Sequence, residues 1–327
     1  MTHGGGWLTV TGVPVSQAND LLGASYQLYQ HTSTNETILR TVGYALPAVL
    51  HAHVQTVAPT TYFPSPRTLQ QTVRKRSTEE ATAKAQATSA ELVTALSSRD
   101  DEVTPETLRR LYKTEAYVPA ATDKNAIGIA AYLDQSPSRE DLTTFMSMYR
   151  SDAKDPTFKV EPVNNGKYDP TQPDDEANTN IQYAEGMAYP TPLIYYSIGG
   201  GVEVEPNTNE PSKGDADLEW FNYILKQPNI PQTIGISYGN PESDLPLQYT
   251  TALCKLFAQL GARGVSVLSS TGNDGVGEGD CKDASGRVLF TPTFPATCTC
   301  GVSSPFCNNC GYNSLTSHPR ICRSVCH

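Results

Sequence analysis

The chain has 327 residues, 38% of them hydrophobic, which is enough for a buried core and leaves room for two domains. Against 24 Lys and Arg stand 34 Asp and Glu, and the net charge of -10 repels phosphate and argues against a nucleic-acid partner. No apolar run approaches the roughly 20 residues that cross a bilayer, which argues against an integral membrane protein.

The N-terminal MTHGGGWLTVTGVPV has no basic stretch ahead of an apolar one, so it does not read as a secretory signal. Asn35-Glu36-Thr37 is nevertheless a glycosylation sequon, and eight cysteines suit an oxidising compartment. A secreted protein whose first exon is absent would show this combination. Short apolar runs alternate with turn residues over the first 70 residues, as in a small α+β unit. From Arg74 to Asp101 large apolar residues almost vanish, and such a stretch reads as a linker. Its Arg74-Lys75-Arg76 triplet is either a processing site or a solvated charge run.

After Val103-Thr104-Pro105-Glu106 the pattern becomes alternating strands and helices, the signature of an α/β domain with a parallel sheet. Strands are expected at Ile127 to Leu133, Leu193 to Ile198, Thr233 to Tyr238 and Val265 to Leu268. Leu142, Phe145, Met146 and Tyr149 recur at helical spacing, as do Leu218, Phe221, Ile224 and Leu225. A third amphipathic helix carries Leu253, Leu256, Phe257 and Leu260 and is closed by Gly261 and Gly264. Such a sheet packs helices on both faces and gathers ligands beyond the carboxyl ends of its strands, where SSTGNDGVG at 269 to 277 lies.

Within this pattern DDEANTNIQY, residues 174 to 183, places Glu176 one helical turn before Asn180 on one face. It is either an ordinary helix start capped by Asp174 or Asp175, or an acid whose pKa a partner tunes for acid-base work. The triplet Gly199-Gly200-Gly201 lacks the lysine and spacing of a phosphate cradle and reads as a tight turn, while Tyr195 and Tyr196 read as packing residues.

EANTNIQY at 176 to 183, YPTPLIYYSIGG at 189 to 200, ISYG at 236 to 239, CKLFAQLGARGVSVLSSTGNDGVG at 254 to 277 and TFPATC at 293 to 298 resemble, in order and spacing, the sedolisin family of serine-carboxyl peptidases, and within it the fungal tripeptidyl-peptidases. HGGGWLTV and VGYALPAVLHAHVQTVAPTTYF look like that family's activation prodomain. The resemblance implies a partial prodomain over 1–72, a linker over 73–101, and the N-terminal part of a peptidase domain over 102–298. Its fold would be a subtilisin-like parallel sheet with helices on both faces. It further implies an extracellular zymogen, its prodomain bound intramolecularly, that releases tripeptides from peptide or protein substrates at acidic pH and uses calcium held by C-terminal ligands.

By the same resemblance Glu176 is the general base, Asn180 occupies the place of its supporting aspartate, and Asn273 occupies the place of the oxyanion aspartate. Asp274 takes that last place if the loop shifts by one. A carboxylate base suits acidic conditions, where a histidine would already be protonated; the six histidines here lie at the chain ends or in the prodomain-like part. The family's nucleophile sits in a Gly-Thr-Ser segment downstream of FPATC. No such segment follows Cys298, and the expectation is a chain that ends before the serine, lacks the calcium ligands and is inactive as written. A non-catalytic peptide-binding or inhibitory module is the alternative.

A bridge between Cys254 and Cys281 is expected within the family-like region. Six of the eight cysteines lie between Cys298 and Cys326, and residues 299–327 leave three readings open. They are a zinc site built on Cys307-x2-Cys310 and Cys322-x3-Cys326-His327, a set of disulfides, and an unstructured tail from an altered frame or retained intron.

Overall fold

The computed structural model describes residues 2–4, 6–30, 37–63, 67–68, 103–200, 215–272, 287, 292–298 and 302–304. The sequon at Asn35, the linker with its basic triplet, Gly201, Asn273, Asp274, Cys281 and almost all of the tail lie outside these residues.

Two antiparallel hairpins and one helix make up the N-terminal unit. β1 (Thr2–Gly4) pairs with β2 (Trp7–Thr9), and β3 (Gln27–Gln30) pairs with β4 (Thr37–Arg40). Between the hairpins runs α1 (Val15–Leu22), which ends on Gly23 at φ 53°, the left-handed conformation that glycine adopts without strain. A two-residue strand, β5 (Arg67–Thr68), follows.

Helices of the larger unit start where a side chain supplies the missing backbone acceptor. Thr104 caps α2 (Pro105–Leu111) by accepting from Thr107 N at 3.1 Å, with Pro105 in the first turn, where no amide partner is lost. Ser138 caps α3 (Arg139–Tyr149) by accepting from Asp141 N at 3.1 Å, and Leu142, Phe145 and Met146 bury the stripe that their spacing predicts. α4 (Asp175–Ala188), α5 (Ala216–Ile224) and α6 (Leu247–Ala262) follow. Gly261 falls inside α6, and the turn out of that helix is made by Gly264 at φ 84°.

Six parallel strands form the main sheet: β6 (Ile127–Ala131), β7 (Phe158–Val163), β8 (Leu193–Ile198), β9 (Thr233–Ile236), β11 (Ser266–Ser270) and β13 (Val302–Ser304). Their spatial order is β13-β11-β9-β6-β8-β7, so the chain runs out to one edge, returns beside β6, and then continues on the other side. α2, α3 and α4 pack together in one layer, and α5 and α6 in the other. The core includes Tyr195, Ile198, Ile181, Leu142, Trp220, Phe221 and Ile234, all fully buried. This is the α/β class expected, with a parallel sheet between helical layers.

Two expectations are corrected. The strand at Thr233 to Tyr238 ends at Ile236; a separate β10 (Tyr238–Pro241) leaves the main sheet and pairs antiparallel with β12 (Thr293–Phe294) and with β5. The disulfide joins Cys254 to Cys298, with Cα atoms 5.3 Å apart, and not to Cys281. α6 carries Cys254 against the turn that follows β12, and this three-dimensional neighbour fixes the pairing.

The N-terminal unit meets the larger one through a shared carboxylate. Asp215 caps α5 by accepting from Leu218 N at 3.0 Å, and it also accepts from Tyr249 Oη at 2.9 and 2.8 Å and from Tyr62 Oη. Tyr62 comes from the N-terminal unit, with its ring 4.7 Å from that of Tyr249. Buried Arg40 donates from Nε to the Tyr62 carbonyl at 2.7 Å and lies 5.2 Å from the Tyr62 ring centroid.

Two outcomes are expected. Replacing both Cys254 and Cys298 by serine releases a loop of 44 residues and lowers the unfolding free energy by about 4 kcal/mol on the chain-entropy account, readable by denaturant titration without reductant. Tyr62→Phe removes one hydrogen bond to a charged acceptor while keeping the ring, and costs about 1.5–3 kcal/mol in the same titration.

Candidate active site

The order of the sheet puts a topological switch point at one end, where a crevice opens in sheets of this kind. β8 and β9 flank β6, and the chain switches sides between them, so the loops that leave the three strands diverge at their carboxyl ends. Tyr132 and Gln135 follow β6, Gly199 and Gly200 follow β8, and Ser237 and Tyr238 follow β9. Gly200 has φ 128°, and a Cβ there would approach the Ala216 Cα to 2.9 Å, so this position requires glycine; the third residue of the expected turn, Gly201, lies outside the described residues.

The first half of α4 lies over this end. Glu176 and Asn180 share a helix face, and both face the strand ends. Glu176 is buried, with 9% of its surface accessible, and its charge reaches the phenols of Tyr195 and Tyr238. Asn180 Oδ1 accepts from Ser237 Oγ at 2.8 Å, while its buried Nδ2 has no hydrogen-bond partner among the described residues. The amide is thereby anchored by one end.

Asp174 is the residue preceding α4, but its side chain does not cap the helix. Instead Oδ2 accepts from Ser136 N at 2.9 Å, and Asp174 N donates to Ser136 O at 2.9 Å, which ties the start of α4 to the loop after β6. Asn178 adds a second tie, accepting from Ser138 N at 2.8 Å and donating to Asp141 Oδ2 at 2.7 Å. The ordinary helix start and the candidate site are thus the same segment, and Asp174 serves to position it.

Several neighbours escaped the sequence reading. Tyr238 Oη donates to Gln135 Oε1 at 2.6 Å, Tyr195 Oη donates to the Gln135 carbonyl at 2.9 Å, and the Tyr132 ring meets Tyr238 edge-on with centroids 5.4 Å apart. Tyr195 is therefore both a core residue and a polar tether. Tyr132 donates to Asp217, whose carboxyl is pushed up to about 7, first by desolvation and then by the neighbouring Asp215, with the Tyr132 bond opposing. A run of contacts thus leads from Asn180 through Ser237, Tyr238 and Tyr132 to the Asp217 and Asp215 pair and on to Tyr62. The quoted ISYG motif was the one sequence signal that pointed to Ser237 and Tyr238.

Asn273 and Asp274 lie outside the described residues, as does the tail proposed for zinc. Among the described residues no group of three or more His, Cys, Asp or Glu is arranged to hold a metal ion. No described helix is long and apolar enough to cross a membrane.

Comparison with known proteins shows what the chain is similar to. Residues 1–63 match the Pro-kumamolisin activation domain. The probable tripeptidyl-peptidase SED3 of Trichophyton verrucosum is 32% identical over 326 residues, covering 89% of this chain and 52% of the relative. Tripeptidyl-peptidase SED4 of Arthroderma otae is 32% identical over 304 residues, covering 89% of this chain and 48% of the relative. A solved Pseudomonas sedolisin overlays with a TM-score of 0.43 at 18% identity, covering 62% of this chain and 52% of the other. The chain spans about half the length of the curated relatives it matches. With an activation domain of the Pro-kumamolisin type at its start and tripeptidyl-peptidase similarity running through 89% of it, this chain is similar to the tripeptidyl-peptidases of the sedolisin type.

Proposed function

We propose that the chain is a serine-carboxyl peptidase of the tripeptidyl-peptidase type in which Glu176 holds the position of the general base, and that it does not turn over substrate in the form described by its sequence. Residues 1–72 act as the prodomain bound to the same chain, residues 73–101 as linker, and residues 102–298 as the first part of the peptidase domain. The working environment is extracellular and acidic. Calcium is an expectation for the C-terminal region of the family, and no step here passes through it.

The observation that carries the reading is the seating of α4, which puts Glu176 and Asn180 together at the carboxyl ends of β6, β8 and β9. A carboxylate can accept a proton from a serine nucleophile at low pH, and a second acid would share and tune that proton. Asn180 cannot do so. Its amide carries no exchangeable carboxyl proton, and with Oδ1 fixed by Ser237 it offers only a neutral donor. An asparagine at 273 can still donate to an oxyanion, so that replacement is the less disabling of the two. The amide at 180 equally favours the second reading, a non-catalytic relative that holds peptides in the same crevice.

The direct experiment is a tripeptide-release assay at about pH 4, near the ordinary carboxylate pKa. The expected result is no release above background; release that disappears in Glu176→Gln would overturn the inactive reading. Asn180→Asp supplies a second measurement. It sets two carboxylates one turn apart on a buried face, and like charges raise the pKa of such a pair. The penalty exists where both are ionised and disappears as pH falls. A rise of one unit corresponds to about 1.4 kcal/mol. Asn180→Asp should therefore lower stability at pH 7 by that order and change it little at pH 4, as read by denaturant unfolding at the two pH values.

A further inference from the structure

Far from the crevice, in the last turn of α4, the acid Glu185 is 4% exposed. Three features make a carboxylate unwelcome there. The C-terminal end of a helix carries negative partial charge. One hydrogen bond reaches the carboxyl, from Thr157 N–H, and Oε2 is buried with no partner among the described residues. The nearest cation, Arg150 at the end of α3, is committed elsewhere. Its Nε and Nη2 donate to Asp152 Oδ1 and Oδ2 at 2.8 Å each, its Nη1 donates to the Gly186 carbonyl, and it lies 5.8 Å from the Tyr189 ring centroid.

The remaining charged groups around this point do not compensate. Asp152 and Lys154 belong to the loop between α3 and β7, and Lys154 uses its backbone, donating from N to Tyr189 Oη at 2.8 Å. Arg109 of α2 acts on Asp152 from the far side. Burial pushes the Glu185 carboxyl up to about 7, with Thr157 N–H and Arg150 opposing. The loop carries both Asp152, the partner of Arg150, and Thr157, the donor to Glu185. It borders a cleft of about 610 Å³ lined by Thr143, Met146, Ser147, Ser151 and Asp155 among others, so it has space in which to move.

We propose that Glu185 and Asp152 compete for Arg150 as a proton-operated switch: neutral Glu185 leaves the guanidinium clamped on Asp152, and ionised Glu185 draws it away and frees Asp152 at the start of the loop, while Thr157 N–H at its other end stays on Glu185. The seating of the last turn of α4 is then tightest at acidic pH. Because the same helix carries Glu176 and Asn180, the switch links the pH of the surroundings to the element that builds the crevice. It holds whether or not the chain hydrolyses peptides.

The sign is fixed by linkage. A glutamate whose folded pKa exceeds the unfolded value of 4.5 favours the folded state fully below that value, and the advantage is lost as pH rises to about 7. The test is a carboxyl-carbon NMR titration of the full chain labelled at glutamate, which leaves Asp217 silent, together with the Arg150 Nε–H resonance. The wild type should show one glutamate carbon titrating near pH 7, with Arg150 moving at the same midpoint. Both signals should vanish in Glu185→Gln, and the wild-type unfolding constant should rise between pH 4.5 and 7.5 on the order of a hundredfold more than that of the variant. Asp152→Asn frees Arg150 and should lower the Glu185 midpoint. A glutamate set that titrates wholly near 4.5, an Arg150 shift that persists in Glu185→Gln, or a midpoint unmoved by Asp152→Asn would each overturn the switch.

Discussion

The carboxylate of Asp215 holds the two parts of the structure in register. It ends one segment and begins α5, and the helix N-terminus favours its negative charge while the Leu218 amide satisfies one lone pair. The remaining acceptor sites go to two phenols, one from α6 and one from the N-terminal unit. A partly buried carboxylate is costly to desolvate unless its lone pairs are occupied. Each partner therefore depends on the others being present: α5 is placed by the cap, α6 by Tyr249, and the N-terminal unit by Tyr62 with Arg40 behind it. Asp217, beside this carboxylate, is driven toward its neutral form by desolvation and by the charge of Asp215.

From that node the contacts run inward to the crevice. Tyr132 bridges Asp217 to Tyr238, and Tyr238 stands next to Ser237, which anchors Asn180. The residues are polar and aromatic, and they come from the segments that follow β6 and β9 and from the helices α4 and α5. Such a network fixes orientation rather than supplying large stabilisation, because its members exchange water contacts for protein contacts at nearly equal free energy. Its value lies in holding Glu176 and residue 180 in a fixed geometry on a rigid helix. The substitution of an amide for an acid at 180 preserves the shape of that geometry and removes its proton chemistry.

Much of the larger unit was legible in the residues. LIYYSI is a continuous apolar run of the length a fully buried parallel strand requires, and β8 occupies those six positions. The stripe of α3 was equally plain. β7, by contrast, reads FKVEPV, with two charges and a proline, and as an edge strand it needs neither continuous apolarity nor every backbone donor. The TIGISY run hid a break after Ile236, since nothing local tells Tyr238 that its pairing partners are Thr68 and Phe294. In the candidate site, Glu176 and Asn180 were identified by motif. Gln135, Asp217 and Tyr132 were not, because they are brought together across more than 80 residues of chain by a hydrogen bond and a ring contact.

By itself the sequence determined the alternation of strands and helices, the apolar faces of the helices, and the family that its motifs resemble. These depend on residues within a turn or two of one another, where periodicity and capping act. Only the tertiary structure decided that Cys254 pairs with Cys298, that Asp215 is shared by three donors, that Ser237 holds Asn180, and that Glu185 ends a helix with one oxygen unpartnered. Each of these is a contact between segments distant in the chain. Its energy depends on burial and on which partners remain uncommitted, quantities that exist only once the sheet has placed the segments side by side.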